Sequence, residues 1–237
     1  MNILVTGGAS GLGAAIVRKL AEKVDNMIYF TYNKSFEKSK VITLECPNTK
    51  GIKCDFKNKD DIQHLINEIN QIDLDVLINN AYSGSFIKTY FHKLPSGDFS
   101  NEFMENIIPT IEITQACIHI FRKKKNGKII TVLTAAMNAP PIGASIYVAN
   151  KAYLGELTKV WATENVKFNI TSNSVSPTFM QTALTSNMDE RIVEQMSKEH
   201  PLKKLLTVEE VADTIYFLTT ASAHLNGVDI VMNAAMK

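Results

Sequence analysis

The chain opens with Asn2-Ile3-Leu4-Val5 and runs at once into Thr6-Gly7-Gly8-Ala9-Ser10-Gly11-Leu12-Gly13, after which an apolar, helix-like stretch begins. A strand, a glycine-rich turn and a helix in that order form the start of a βαβ unit, which commits the chain to a parallel sheet. The glycines allow the backbone to bend and bring its amides towards a pyrophosphate at the positive end of the helix. The segment predicts a dinucleotide site that includes Gly7, Ser10, Gly11, Leu12 and Gly13.

The same alternation continues to the other end. Strands are predicted over residues 2–6, 27–32, 51–55, 75–79, 128–134, 169–175 and 229–232. Helical spacing covers 12–23, 60–72, 99–122, 147–165 and 208–219. Apolar runs interleaved with amphipathic stretches describe an α/β fold: a doubly wound parallel sheet with helices on both faces. No repeat or Gly/Ser linker divides the chain, so one Rossmann domain is expected over 1–237. The least regular stretch, 177–206, follows a predicted strand end and is expected to be a substrate lid, because ligands in open parallel sheets sit beyond the carboxyl ends of the strands.

Composition narrows the function. With 45% apolar residues and a net charge of +1, the chain can bury a substantial core and has no concentrated basic face for nucleic acid or an anionic membrane. The run Arg122-Lys123-Lys124-Lys125 ends in Asn126-Gly127 and reads as helix C-capping; Asp60-Asp61 reads as the matching acidic start of another helix. Cys46, Cys54 and Cys117 have no paired spacing, so a reduced cytoplasmic setting is expected, and no leader segment or membrane span is read. The histidines lack metal-ligand spacing and no Gly-Lys-Ser/Thr phosphate loop occurs, so no metal and no kinase or ATPase chemistry is expected.

Two further places carry chemistry. Tyr147 and Lys151 lie four apart on a predicted helix, which stacks a phenol and an ammonium on one face, and the cation favours phenolate. A phenol so tuned can serve as the proton donor that carbonyl reduction requires. At the end of the second strand stand Thr31-Tyr32-Asn33-Lys34-Ser35. A carboxylate there would bind ribose hydroxyls and repel a 2′-phosphate; with Asn33 and Lys34 available and no acid, NADP(H) is expected over NAD(H).

These motifs, Thr-Gly-x-x-x-Gly-x-Gly near the start and Tyr-x-x-x-Lys at 147–151, resemble those of the short-chain dehydrogenase/reductase family, and the likeness extends along nearly the whole chain. The resemblance implies Tyr147 as acid/base, with Lys151 lowering its pKa and holding the nicotinamide ribose. Thr134 stands thirteen residues before the tyrosine, where the family has a serine that bonds the substrate oxygen. Asn106 matches the asparagine that interrupts a helix and holds a water leading to the lysine, and Pro109 is an independent reason for a kink there. Asp55 matches an adenine-binding aspartate; Asn79 and Ala81 match the sheet-bracing asparagine and the backbone beside the adenine ribose. Pro177, Phe179 and Thr182 fall in the segment that covers the nicotinamide. The chain departs from the family pattern at Tyr82, Thr178, Ala234 and Ala235, each in place of glycine.

The resemblance thus implies reduction of a ketone, or the reverse oxidation, on a small molecule such as a 3-oxoacyl thioester, a steroid-like ketone or a keto sugar. It also implies a homotetramer or homodimer. Two other readings stand beside it. One is a sugar-nucleotide-modifying enzyme of the related extended group, which usually has another glycine spacing and an added C-terminal region. The other is a dinucleotide-sensing module that has lost catalysis, for which the Tyr147 and Lys151 pair would be unnecessary.

Overall fold

The computed structural model describes residues 1–83, 89–180 and 190–236. Seven strands form one parallel sheet: β1 (Asn2–Val5), β2 (Met27–Tyr32), β3 (Thr49–Lys53), β4 (Val76–Asn79), β5 (Gly127–Val132), β6 (Ile170–Pro177) and β7 (Asp229–Met232). Their spatial order is β3-β2-β1-β4-β5-β6-β7. Strand order reverses between β1 and β4, the place where a parallel sheet opens a crevice at its carboxyl edge.

Alternation along the strands builds two core layers. Ile3 and Val5 of β1, Val76 and Ile78 of β4, and Ile130 of β5 pack on one face. Against them lie Ile16, Val17 and Leu20 of helix α1 (Gly11–Ala21) and Val211, Ile215 and Leu218 near the C-terminus. Leu4, Leu77 and Ile129 turn to the other face. There they meet Leu65 of α3 (Lys59–Ile69), Cys117 and Phe121 of α5 (Ile108–Lys124), and Leu154 and Trp161 of α6 (Ser145–Asn165). The C-terminal helix is α8 (Val208–Thr220), which starts with a capping box between Thr207 and Glu210.

The sequence reading passes over α2 (Phe36–Glu45). Only Ser39 and Ile42 of that helix are buried, whereas Phe36, Val41 and Leu44 are exposed, so it carries almost no apolar stripe for a periodicity argument to find. The long helix predicted over 99–122 is broken into α4 (Ser96–Glu102), a π-turn (Phe103–Ile107) and α5. Pro109 has no amide hydrogen to give, and Asn106 Nδ2 donates to the Glu102 carbonyl at 3.0 Å, so the helical ladder slips by one residue at the predicted place. Lys124 pairs with Asp73 and Asp75 while Lys125, at φ 53°, ends α5, which gives the basic run a structural use. Of the expected lid, 181–189 lies outside the described residues, and α7 (Glu190–Glu199) occupies part of the rest.

Candidate active site

The turn after β1 is clamped from two sides. Gly7 N donates to Thr31 Oγ1 (2.8 Å), Gly8 N donates to the Thr31 carbonyl (2.9 Å), and Asn80 Nδ2 donates to the carbonyls of Thr6 (2.9 Å) and Gly7 (3.1 Å). The Thr6 hydroxyl accepts from the amides of Asn80 and Ala81, each at 3.0 Å, which ties the loops after β1 and β4 together. Gly7 has φ 68° and Gly11 φ 51°. A Cβ on Gly13 would lie 2.0 Å from the Gly7 carbonyl oxygen. Ser10, at the N-cap of α1, makes no side-chain capping bond, and no acid stands in the first turn. The helix start therefore keeps unclaimed amides and a positive dipole end facing the crevice, an arrangement that suits a dinucleotide pyrophosphate.

A cavity of about 650 Å³ runs along the carboxyl edge from this turn. Of the residues named from sequence, it is lined by Gly7, Ser10, Gly11, Leu12, Gly13, Asn33, Asp55, Ala81, Thr134, Tyr147, Lys151, Pro177 and Phe179. Thr182 lies outside the described residues. Three others are placed elsewhere. Lys34 is exposed and is not part of the lining, because the chain turns away from the crevice after Asn33. Asn79 is buried behind the cavity, where its Nδ2 donates to Thr114 Oγ1 at 3.0 Å and braces β4 against α5. Asn106 is also buried and off the lining: Oδ1 accepts from Ser83 N (2.7 Å) and Ser83 Oγ (3.1 Å), and Nδ2 donates to Glu102. Both ends of its side chain are engaged by protein groups.

At the far end of the cavity three polar groups converge. Tyr147 lies in the first turn of α6 and Lys151 one turn on, and Thr134, just beyond β5 at the cap of the turn Ala135–Met137, lines the same part of the cavity. Lys151 Nζ donates to the Val132 carbonyl at 2.7 Å. Burial pushes the Tyr147 phenol up from its ordinary value, and the Thr134 hydroxyl acts against that rise. Burial likewise lowers the Lys151 ammonium from 10.5 to about 8. The helical spacing predicts a phenol lowered by the lysine charge; in the structure desolvation dominates instead, raising the Tyr147 phenol and lowering the Lys151 ammonium.

Asn80 also lines the cavity. Its clamp on the glycine turn depends on a contact across 73 residues, which no local pattern shows. Ala135, Ala136, Ala139, Pro141, Met180 and Met196 supply an apolar wall. Met137 packs into the core behind it and Ile142 is exposed. Tyr82 enters the cavity, its ring edge-on to Tyr147 with centroids 5.2 Å apart. Among the departures from glycine, Tyr82 and Thr178 take no positive φ, whereas Ala234 and Ala235 do, at 50° and 58°.

A nucleotide crevice at the strand-order reversal, ending at a phenol, an amine and a hydroxyl, defines the class as a dinucleotide-binding oxidoreductase. The family model described as enoyl-(acyl carrier protein) reductase matches residues 7–235. Among curated relatives, the 3-oxoacyl-[acyl-carrier-protein] reductase FabG of Aquifex aeolicus is 29% identical over 98% of this chain and 96% of its own length. The FabG of Buchnera aphidicola is 30% identical, again over 98% and 96%. Among solved structures, a variant of ElxO with NADPH bound is 25% identical and superposes with a TM-score of 0.87 over 98% of this chain and 97% of that one. The chain belongs to the short-chain dehydrogenase/reductase family. It is an NAD(P)-dependent oxidoreductase that acts on the ketone/secondary-alcohol pair.

Proposed function

We propose that the chain is an NADPH-dependent ketoreductase whose substrate is a 3-oxoacyl thioester or a ketone of similar shape. The observation that carries this reading is the convergence of Tyr147, Thr134 and Lys151 on one end of a cavity whose other end is the glycine turn. When bound, the reduced nicotinamide supplies the hydride. Gly7, Ser10, Gly11, Leu12 and Gly13 would hold its pyrophosphate, Asp55 and Ala81 the adenosine side, and Pro177 and Phe179 the nicotinamide side. Tyr147 donates the proton to the ketone oxygen, and Thr134, which lines the cavity beside it, steadies the same oxygen. Lys151 supplies the positive charge that makes release of the phenolic proton easier.

The apolar wall of alanines, Pro141 and methionines favours an acyl chain over a keto sugar, since sugar hydroxyls would be left unpaired against it. NADPH rather than NADH is supported by the end of β2, where Thr31, Tyr32 and Asn33 line the cavity without a carboxylate. Lys34, on the surface, is not part of that argument. The segment 177–206 is proposed to act as the lid; its described residues Thr178, Met180 and Met196 meet the cavity. A homodimer or homotetramer through α5 and α6 belongs to the same reading, and Tyr153 and Val160 of α6 are each 44% exposed.

The test follows oxidation of NADPH and of NADH with acetoacetyl N-acetylcysteamine thioester as the ketone. Wild-type protein is expected to use NADPH with the higher kcat/KM. Tyr147→Phe is expected to lose about 10²- to 10⁴-fold in rate while it still binds NADPH by fluorescence titration. A Tyr147→Phe protein that turns over at the wild-type rate would refute the assignment.

A further inference from the structure

Where the family pattern has glycine, this chain places Tyr82, and its ring has two neighbours of consequence. Lys151 Nζ lies over the ring, 5.0 Å from its centroid, within the range of a cation–π contact. The ring also stands edge-on to Tyr147, at 89° and 5.2 Å. The ammonium itself lies 6.0 Å from the Tyr147 centroid. Tyr82 thus touches both members of the pair on which the proposed chemistry rests.

Tyr82 is fixed in turn from behind. Its phenol donates to Glu102 Oε2 at 3.3 Å, and the next residue, Ser83, gives its amide and hydroxyl to Asn106 Oδ1. Asn106 closes the frame by donating to the same Glu102 oxygen at 3.1 Å and to the Glu102 carbonyl. The π-turn has a use in this arrangement. By turning the Asn106 side chain out of the helical ladder, it makes a bracket for the loop that carries Tyr82.

We propose that Tyr82, bracketed by Glu102 and Asn106, is a positioning residue that holds the Lys151 ammonium and the Tyr147 ring in their working arrangement. The inference rests on the reading of Tyr147 and Lys151 given above. The electron-rich face of the ring opposes the desolvation that pulls the proton off Lys151, and the Val132 carbonyl acts in the same sense. Among the described residues, the groups facing the ammonium are Tyr147 from its own helix, Tyr82 from the loop after β4 and the Val132 carbonyl from β5. Glu102 reaches it through the Tyr82 phenol, with the Lys57–Glu105 ion pair beyond.

The experiment compares wild type, Tyr82→Phe, Tyr82→Leu and Tyr147→Phe in NADPH-dependent reduction of the acetoacetyl thioester across the pH range 6 to 10, with Tyr82→Met as a second non-aromatic variant if Tyr82→Leu does not fold. Loss of the ring is expected to move the alkaline limb of kcat/KM down by about one pH unit, with about a tenfold loss of rate above the new limb. Tyr82→Phe keeps the ring and is expected to keep the wild-type limb. A limb unmoved in the non-aromatic variant, or moved equally in Tyr82→Phe, overturns the positioning role. Tyr147→Phe reports separately: if it retains full rate, the underlying reading fails whatever the Tyr82 variants do.

Discussion

Replacing the lysine of the proposed pair by methionine is expected to make the protein more stable as it makes it inactive. Lys151 is 4% exposed, and burial lowers its ammonium from 10.5 to about 8. At pH 7 the amine is charged in both folded and unfolded chains, so the folded state carries the full cost of the shift, about 3 kcal/mol. Methionine fills a similar volume without a charge. Against this gain stand the lost bond to the Val132 carbonyl and the lost contact of the ammonium with the Tyr82 ring, each about 1 kcal/mol. The balance is a stabilisation of about 1 kcal/mol, or roughly 2–4 °C in Tm for a chain of this size. The pH dependence gives the sharper signature. Between pH 8 and 10.5 the unfolded wild type binds more protons than the folded form, so its stability rises with pH across that window. The advantage of Lys151→Met is therefore full below pH 8 and fades towards 10.5. Urea denaturation of both proteins at pH 7, 8, 9 and 10 measures it. A methionine variant that is less stable at pH 7, or a difference that stays constant through pH 10, refutes the reasoning.

Two other substitutions follow from the backbone. Gly13→Ala places a Cβ 2.0 Å from the Gly7 carbonyl and must displace the glycine turn, so NADPH affinity is expected to fall at least about 100-fold in a fluorescence titration. Gly97→Ala, in α4 with open space around the added carbon, is the control and is expected to leave binding unchanged while stabilising the helix by up to about 1 kcal/mol. Ala234 and Ala235 both sit at positive φ, which costs about 1–2 kcal/mol per residue before the greater chain entropy of glycine is set against it. The double variant Ala234→Gly, Ala235→Gly is expected to raise Tm by about 2–4 °C in a thermal melt.

What could be read from the chain is what depends on local order. The glycine turn at residues 7–13 is a matter of φ angles and close approach between near neighbours, and the Tyr147–Lys151 pair is a matter of helical period, so both are visible in a linear string. The near-continuous apolar runs of β1, β4 and β5 likewise announce strands buried on both faces. Where burial leaves little periodic trace, as along α2, the helix went unseen. Asn106 shows the boundary well: the break at residues 103–107 was legible from Pro109, but the partners of its side chain, Ser83 and Glu102, were not. Only the tertiary structure decided that Lys34 turns away from the cavity, that Asn80 clamps the glycine turn, and that Tyr82 stands between Glu102 and Lys151. The physical reason is that residue type and period set which conformations a segment favours. Which side chains share a dry, low-dielectric space, and therefore what charge each can hold, is determined when segments far apart in the chain are brought together by the sheet.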